Sequence, residues 1–367
     1  MNNRDLLFAL HHMAGIGFKT ISRLTETFTQ LTDMLAFTKD DWIGFGLQAA
    51  KAEVLWKGLD ALEPQRLEAT MKQYTERGIG WITVWDDSYP QLLLETASPP
   101  WIMYYIGDIA LMSQPCIGIV GTRTPTAYGR TTAERLAQSL SANGFCVVSG
   151  LARGVDSAAH EGALREKAST IAVLGCAINE VYPPENKPLY RNIGTKGLLV
   201  SEYPIGTKSH PGLFPQRNRI IAGLSLGIVV VEAAEKSGSL ITADLALDES
   251  RDVFAVPGPI TSPKSQGTLS LLKQGAKLVT GAQDIMEEYA GRICLERSAY
   301  INHTTETTVP VGEDEQKVLD LLACKPMGVD ELLTQSQFTF GHLHSVLINL
   351  LLTRRVVELP GSVYMII

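Results

Sequence analysis

The chain has 367 residues, 45% of them hydrophobic and 19% charged, with a formal net charge of −7. Such length and composition describe an ordinary globular protein of two or three domains, and they exclude disordered, collagen-like and disulfide-stapled classes. The negative sum excludes a protein coated with positive charge, but not one that binds nucleic acid, because affinity for phosphates follows the local field of a patch.

The first residues, Met-Asn-Asn-Arg-Asp, lead into an amphipathic stretch and not into the apolar core of a signal peptide. The longest apolar run, Ile220–Val231, is broken by Ser225 and two glycines. It is too short to span a bilayer, so no membrane association is expected. The cysteines, Cys116, Cys146, Cys176, Cys294 and Cys324, form no C-x-x-C pair and read as reduced residues of a cytoplasmic protein. No His/Cys cluster has metal-ligand spacing, and neither a metal nor a cofactor is expected.

Residues 4–37 carry Leu6, Leu7, Leu10, Met13, Ile21, Leu24 and Phe28 at helical spacing. Between them, Ala14-Gly15-Ile16-Gly17-Phe18-Lys19-Thr20 permits a tight turn and leaves backbone N–H groups free at the next helix start, a place for a phosphate. Two readings stand. One is a helix-hairpin-helix (SAM-like) domain whose Gly15, Gly17 and Lys19 make accessory contacts to a DNA backbone; the other is a plain helical hairpin packed on its neighbour. Residues 39–75 continue as helices with Trp42 and Trp56 in the core, so 1–75 is read as one helical domain. A lead-in segment over 76–114 holds short strands near Gly78–Trp85 and Trp101–Ile106, with Pro90 and Pro99-Pro100 as punctuation.

From Cys116 apolar runs alternate with helical stretches. The runs are Cys116–Val120, Phe145–Ser149, Ile171–Gly175, Leu198–Ser201, Ile228–Val231, Val253–Val256 and Lys277–Thr280. They lack polar alternation, as strands buried on both faces do. Helices are expected over Thr131–Asn143, over Asp156–Lys167 with Asp156 as its cap, over Ser239–Ser250 and over Gln283–Ala290. The prediction is an α/β fold, a Rossmann-like doubly wound parallel sheet of about seven strands, within a domain over 76–290. Residues 291–312 are polar and Thr-rich and read as a linker. Over 313–367, three helices (Glu315–Cys324, Val329–Leu333, Phe340–Leu352) and two strands (Arg355–Leu359, Val363–Ile367) joined through Pro360-Gly361 resemble a winged helix. Its third helix carries His342 and His344 but no Lys or Arg, which favours protein contact or an accessory role over DNA reading, although Arg354 and Arg355 could touch DNA.

In a doubly wound sheet ligands bind beyond the carboxyl ends of the strands. The segments there are Gly121-Thr122-Arg123, Gly150–Asp156, Tyr182–Lys187, the arginine cluster in Pro215–Ser225, and Ser237–Thr242. Glycines allow close backbone approach, hydroxyl and N–H groups donate, and Arg or Lys supplies charge, so together they describe an anion pocket. Catalytic groups are what this edge lacks. The first strand is not followed by Gly-x-Gly-x-x-Gly, and there is neither a Walker lysine nor a Gly-x-Ser-x-Gly elbow. Asp156 and His160, four residues apart, are read as a structural hydrogen-bonded pair, and Glu232 as the partner of an arginine more than as a base.

The set Gly121-Thr122-Arg123, Gly150-Leu151-Ala152-x-Gly154-x-Asp156-x-x-Ala159-His160, Tyr182-Pro183-x-x-Asn186, Pro215-x-Arg217-Asn218-Arg219-Ile220-Ile221-Ala222-Gly223-Leu224-Ser225 and Ser237-Gly238-Ser239-Leu240-Ile241-Thr242-Ala243 resembles the DprA/Smf family, as do Val256-Pro257-Gly258 and Gln274-Gly275-Ala276. The resemblance covers the whole central domain. It implies a non-enzymatic protein of natural transformation that binds and protects incoming single-stranded DNA, loads RecA recombinase on it, and forms a homodimer through the Rossmann-like domain. Carried over by motif, the DNA-binding set is Gly121, Thr122, Arg123, Gly150, Lys187, Arg217, Asn218, Arg219, Ser237, Gly238, Ser239 and Thr242. Tyr182, Tyr203 and Phe214 are the aromatic candidates for base stacking. Alanine at Arg123 or Arg217 is expected to weaken binding without unfolding the chain. Of Arg217 and Arg219, one should hold phosphate and the other brace the pocket through Glu232. The rival reading is a Rossmann-like nucleotide 5′-monophosphate phosphoribohydrolase, whose Pro-Gly-Gly-x-Gly-Thr motif is replaced here by Glu235-Lys236-Ser237-Gly238-Ser239.

Overall fold

In the computed structural model, which describes residues 1–167, 169–207, 209–289, 312–322, 327–352, 355–359 and 363–366, the first apolar stripe becomes α1 (Asn3–His12). Asn2 and Asp5 cap it reciprocally, each side chain accepting from the other's backbone N–H at 2.9 and 3.0 Å. Leu6, Leu7, Phe8, Ala9 and Leu10 are all buried, so α1 is enclosed on every side. Gly15, at φ +83°, turns the chain into α2 (Phe18–Thr27). Then α3 (Lys39–Gly44), α4 (Ala49–Asp60) and α5 (Pro64–Glu76) complete a helical layer around a fully buried Trp42, with Trp56 half-buried against the same core.

The chain continues through β1 (Gly80–Thr83), α6 (Gln91–Leu94), β2 (Ile102–Gly107), β3 (Cys116–Val120), α7 (Ala127–Ala142), β4 (Cys146–Ser149), α8 (Val155–Ala163), β5 (Thr170–Leu174), α9 (Lys187–Lys196) and β6 (Leu198–Ser201). It then forms α10 (Leu213–Leu224), β7 (Gly227–Val230), α11 (Gly238–Asp248), β8 (Asp252–Ala255), α12 (Gln266–Lys273), β9 (Lys277–Leu278) and α13 over 282–289. One nine-stranded sheet runs β1-β2-β6-β5-β4-β3-β7-β8-β9. All neighbours from β6 to β9 are parallel, and β1 and β2 extend the β6 edge antiparallel. The order reverses at β3, which lies between β4 and β7, and the crevice of a doubly wound fold falls there.

Strand alternation divides the core. Ala172, Leu174 and Leu199 pack with Leu189 and Ile193 of α9 and with the helical layer. Ile171, Val173, Leu198 and Val200 face the other way, onto Ile220, Ile221 and Leu224 of α10. Tyr74 stacks on Tyr104 of β2 at 5.2 Å, and Phe8 meets both rings edge-on, so the helical layer and the sheet share one core. Each fully buried side chain of this kind stabilises the join by about 1.5–3 kcal/mol. Met1–Glu288 is accordingly one compact unit.

Three sequence expectations are corrected. The sheet has nine strands, because the two short lead-in strands join it. The helix after β4 begins at Val155 with Gly154 as its cap. Asp156 does not cap it, since its carboxylate accepts instead from the N–H groups of Gly150 and Ala152. Helices α9 and α12 were not anticipated; α9 buries only Leu189 and Ile193, too thin a stripe to register in the pattern.

The second unit, Tyr289–Ile367, holds α14 (Glu313–Leu322), β10 (Met327–Gly328), α15 (Val329–Ser336), α16 (Phe340–Leu352), β11 (Val356–Leu359) and β12 (Val363–Ile366). A small antiparallel sheet in the order β10-β12-β11 closes on the helices, the arrangement of a winged helix. Val318, Leu322, Leu332, Leu343, Leu347, Leu350 and Tyr364 form its core. The expected linker lies outside the described residues except Gly312, as do Lys208, Cys294, Cys324, Arg354 and the Pro360-Gly361 turn.

Candidate nucleic-acid interface

The carboxyl ends of β3, β4 and β5 and the first turns of α10 meet in one place because backbone bonds stitch their loops together. Thr122 donates its N–H to the Glu232 carbonyl at 2.7 Å and accepts from the Val155 N–H at 3.2 Å. Asn186 donates to the Leu151 carbonyl and to the Ser157 hydroxyl, each at 2.9 Å, which fastens the Tyr182–Lys187 segment to the Gly150 loop. Lys264 donates to the Thr124 carbonyl.

Arg217 is the centre of this assembly, and it is a brace. Only 4% exposed, its guanidinium donates to the carbonyl of Gly150 at 2.7 Å and to that of Val173, tying the end of β4 to the end of β5. Asn218 accepts from its Nε at 3.3 Å. Gly150 has to be glycine here, because a Cβ would stand 2.3 Å from the Arg217 guanidinium. Burial pushes the Arg217 pKa down and the Asp156 pKa up; each opposes the other's shift by attraction, and two loop amides also hold Asp156 down. Asp156 and His160 are not bonded to each other, contrary to the expected pair. His160 Nε2 accepts from the Leu151 N–H at 3.3 Å, so the neutral ring offers its Nδ1 proton to the Thr170 hydroxyl at 2.7 Å, and that hydroxyl donates to the Val147 carbonyl. Burial, with Arg217 nearby, drives the His160 pKa to about 3.

Above this braced floor lies a shallow recess of about 20 Å³, walled by Arg123, Gly150, Ala152, Arg153, Tyr182, Pro183, Phe214 and Arg217. The Tyr182 and Phe214 rings are 5.1 Å apart and tilted by 41°, and Tyr182 is 43% exposed. Arg123 is exposed, and Arg153, also exposed, rests against Glu185. One open cation, Arg123, and a second, Arg153, shared with Glu185, lie beside two aromatic faces, a set that can neutralise phosphates and stack bases at once.

The other sequence candidates are dispersed. Arg219 points away from the recess: it pairs with Glu202 at 2.5 Å and donates to the Ser98 carbonyl at 2.6 Å. The expected brace through Glu232 is therefore corrected. Glu232, buried, accepts from the N–H and hydroxyl of Thr126 at 2.8 and 2.5 Å, because β7 lies beside β3 and brings it to the Thr126 loop. Ser237 and Ser239 bond each other at 2.8 Å at the start of α11, Gly238 is exposed beside them, and Thr242 is buried. Lys187 is exposed at the start of α9 and does not line the recess, whereas Gly121 backs onto Val155. Gly15 and Gly17 are exposed in the turn before α2, and Lys19 is exposed in its first turn. Sequence reasoning passed over Arg153, although its place in the Gly150–Asp156 loop was the available signal. In the winged helix, Phe340 is 62% exposed and stacks on His344 along an outer face of α16.

A family model described as DNA recombination-mediator protein A matches residues 80–290, more than half of the chain. The chain belongs to this family. The DprA winged helix domain matches residues 303–362. Protein Smf of Synechocystis sp. is 34% identical over 325 residues, covering 80% of this chain and 82% of that protein. DNA processing protein DprA of Bacillus subtilis is 41% identical over 243 residues, covering 66% and 82%. The X-ray structure of DprA from Streptococcus pneumoniae aligns with a TM-score of 0.69 at 34% identity, over 78% of this chain and 99% of that one. DprA from Helicobacter pylori, solved to understand its single-stranded DNA binding mode, aligns with a TM-score of 0.53 at 32% identity, over 58% and 96%. The resemblance to the DprA/Smf family seen in the motifs is thus borne out, and so is a Rossmann-like sheet followed by a DprA winged helix.

Proposed function

We propose that this DprA-family chain binds single-stranded DNA at the recess beyond β3, β4 and β5, without catalysing a reaction on it, protects the strand during natural transformation and passes it to a recombinase of the RecA type. The observation that carries the reading is the juxtaposition of Arg123 and Arg153 with the tilted Tyr182–Phe214 pair over one rigid floor. At about 20 Å³ the recess is too small to enclose a mononucleotide, since ligand pockets usually hold about 300–1,000 Å³, and it suits a strand that lies across it. No carboxylate, histidine or cysteine is among the residues that wall it, which supports binding over the phosphoribohydrolase chemistry. Exposed Phe340 and His344 on α16, with no Lys or Arg along that helix, favour a protein partner for the winged helix. No described helix is long and apolar enough to cross a membrane.

The test is oligothymidine binding by fluorescence anisotropy at fixed salt. Arg123→Ala with Arg153→Ala is expected to weaken binding about tenfold or more, flatten the salt dependence by about one to one and a half in slope, and leave the melting temperature unchanged. Tyr182→Ala should cost about 1–3 kcal/mol of binding, one stacked base. Affinity equal to the parent in both variants would remove the recess from the function. Release of adenine from AMP by the parent protein would replace the reading with an enzymatic one.

A further inference from the structure

On the far side of α10 lies a larger opening. A cleft of about 870 Å³ runs between the Gly15–Gly17 turn and α10. Three cations from three separate elements reach it: Lys19 of α2, Lys51 of α4 and Arg219 of α10. Glu202 is the only acidic residue among its walls, and it is taken up by Arg219 at 2.5 Å, so Lys19 and Lys51 leave the cleft with an uncompensated positive charge. His11 and His12 also line it; burial lowers the pKa of both, so neither is a counted cation. Lys51 also donates to the Thr20 hydroxyl at 3.2 Å, which holds its ammonium beside the start of α2. Gly17 caps α2 without a side-chain acceptor, and the space before Gly15 and Gly17 is empty to 4 Å. Two lysines without a carboxylate partner in the cleft and a positive helix end in one opening are the chemistry of a site for polyanion phosphates.

Continuity says which polyanion. Phe214 and Arg217 of α10 wall the recess, while Gln216 and Arg219 wall the cleft, and Pro215 and Gln216 are exposed between them. The two openings are therefore the two flanks of one helix end, and a chain crossing that end passes from one into the other. We propose that the cleft is the second segment of a single-strand path, in which Lys19 and Lys51 hold phosphates of the same strand whose bases stack in the recess. This rests on the single-strand reading above.

The test compares two oligothymidines, one of ~6 nucleotides that fills the recess alone and one of ~20 that reaches beyond it. In the full chain, Lys19→Glu with Lys51→Glu is expected to bind the short oligonucleotide as the parent does. It should bind the long one about tenfold or more weaker, with a salt slope smaller by about 1.4 for two lost phosphate contacts on a single strand. Should the charge reversals lower the melting temperature, the corresponding pair of alanine substitutions is read in their place. Parental affinity and slope for the long oligonucleotide would overturn the proposal, as would an equal loss at both lengths. Failure of the single-strand reading looks different, because then the Arg123 and Arg153 variants bind the short oligonucleotide as well as the parent.

Discussion

Arg217 and Arg123 look alike in the sequence, each an arginine in a glycine-bearing segment beyond an apolar strand. Their surroundings separate them. Arg217 is inside, holding two strand ends and facing Asp156, whereas Arg123 is outside. Arg217→Ala would leave Asp156 as a buried charge without its counter-charge and two carbonyls without a donor, at a cost of about 3–5 kcal/mol. Urea denaturation should show that loss for Arg217→Ala and none for Arg123→Ala. An Arg217 variant as stable as the parent would make it a ligand-binding residue after all. The sequence did indicate that the two arginines of Arg217-Asn218-Arg219 face apart, because helical spacing requires it. It could not say which faced inward, since that depends on which strand ends lie below, and Glu232 is nearer to Arg219 in the chain than Glu202 is. Arg219 found Glu202, and Glu232 found Thr126.

At the scale of elements, α8 does more than cover the sheet. Asp156 and His160 both turn back to hold the Gly150 loop, so the helix fixes the floor of the recess. His160, fully buried, stays neutral down to about pH 3, whereas in the unfolded chain it takes up a proton near its ordinary value of 6.5. The unfolded state binds more protons between those values, so stability is complete above about pH 6.5 and falls as pH drops toward 3, by about 1.4 kcal/mol per pH unit for this one group. His11, lowered to about 4 by burial, acts in the same direction. Denaturation midpoints measured between pH 7 and 4.5 should show this slope, and His160→Gln should flatten it; an unchanged slope in that variant would assign the acid sensitivity elsewhere. Strands β3 to β8 were legible because each is an unbroken apolar run, and α7 and α11 because their boundaries carry polar stops. By contrast, β1 and β2 were visible as strands but not as members of the sheet. Pairing with β6 is a long-range choice that no local period encodes.

For the whole molecule, the sheet ends in two unlike edges. At one, β1 is backed by the helical layer through Trp81 and Phe8, whose rings are 4.9 Å apart. At the other, β9 is a two-residue strand, both residues exposed, with Leu278 49% exposed, and Leu247, 56% exposed, lines a groove there together with Leu271 of α12. A short open edge flanked by apolar side chains is where a second copy would add its surface. We propose that a homodimer, which the family resemblance implies, forms at this edge; the parent should then sediment as a dimer at micromolar concentration, and Leu247→Glu with Leu278→Glu as a monomer. A monomeric parent, or a variant that stays dimeric, would discard the edge.

The cysteines, first read only as a sign of compartment, have another consequence. Cys116 and Cys146 sit opposite each other on β3 and β4, buried in the middle strands of the sheet, and Cys176 lies just past β5, buried in the core shared with the helical layer. Burial lifts the thiol of Cys176 to about 11, and burial also raises that of Cys146 well above its ordinary value. Buried in this way, none of the three is open to a thiol reagent while the sheet is closed. The protein therefore carries two built-in clocks of its own opening. Cys176 times the loosening of the chain at the end of β5, and Cys116 with Cys146 time the parting of β3 and β4.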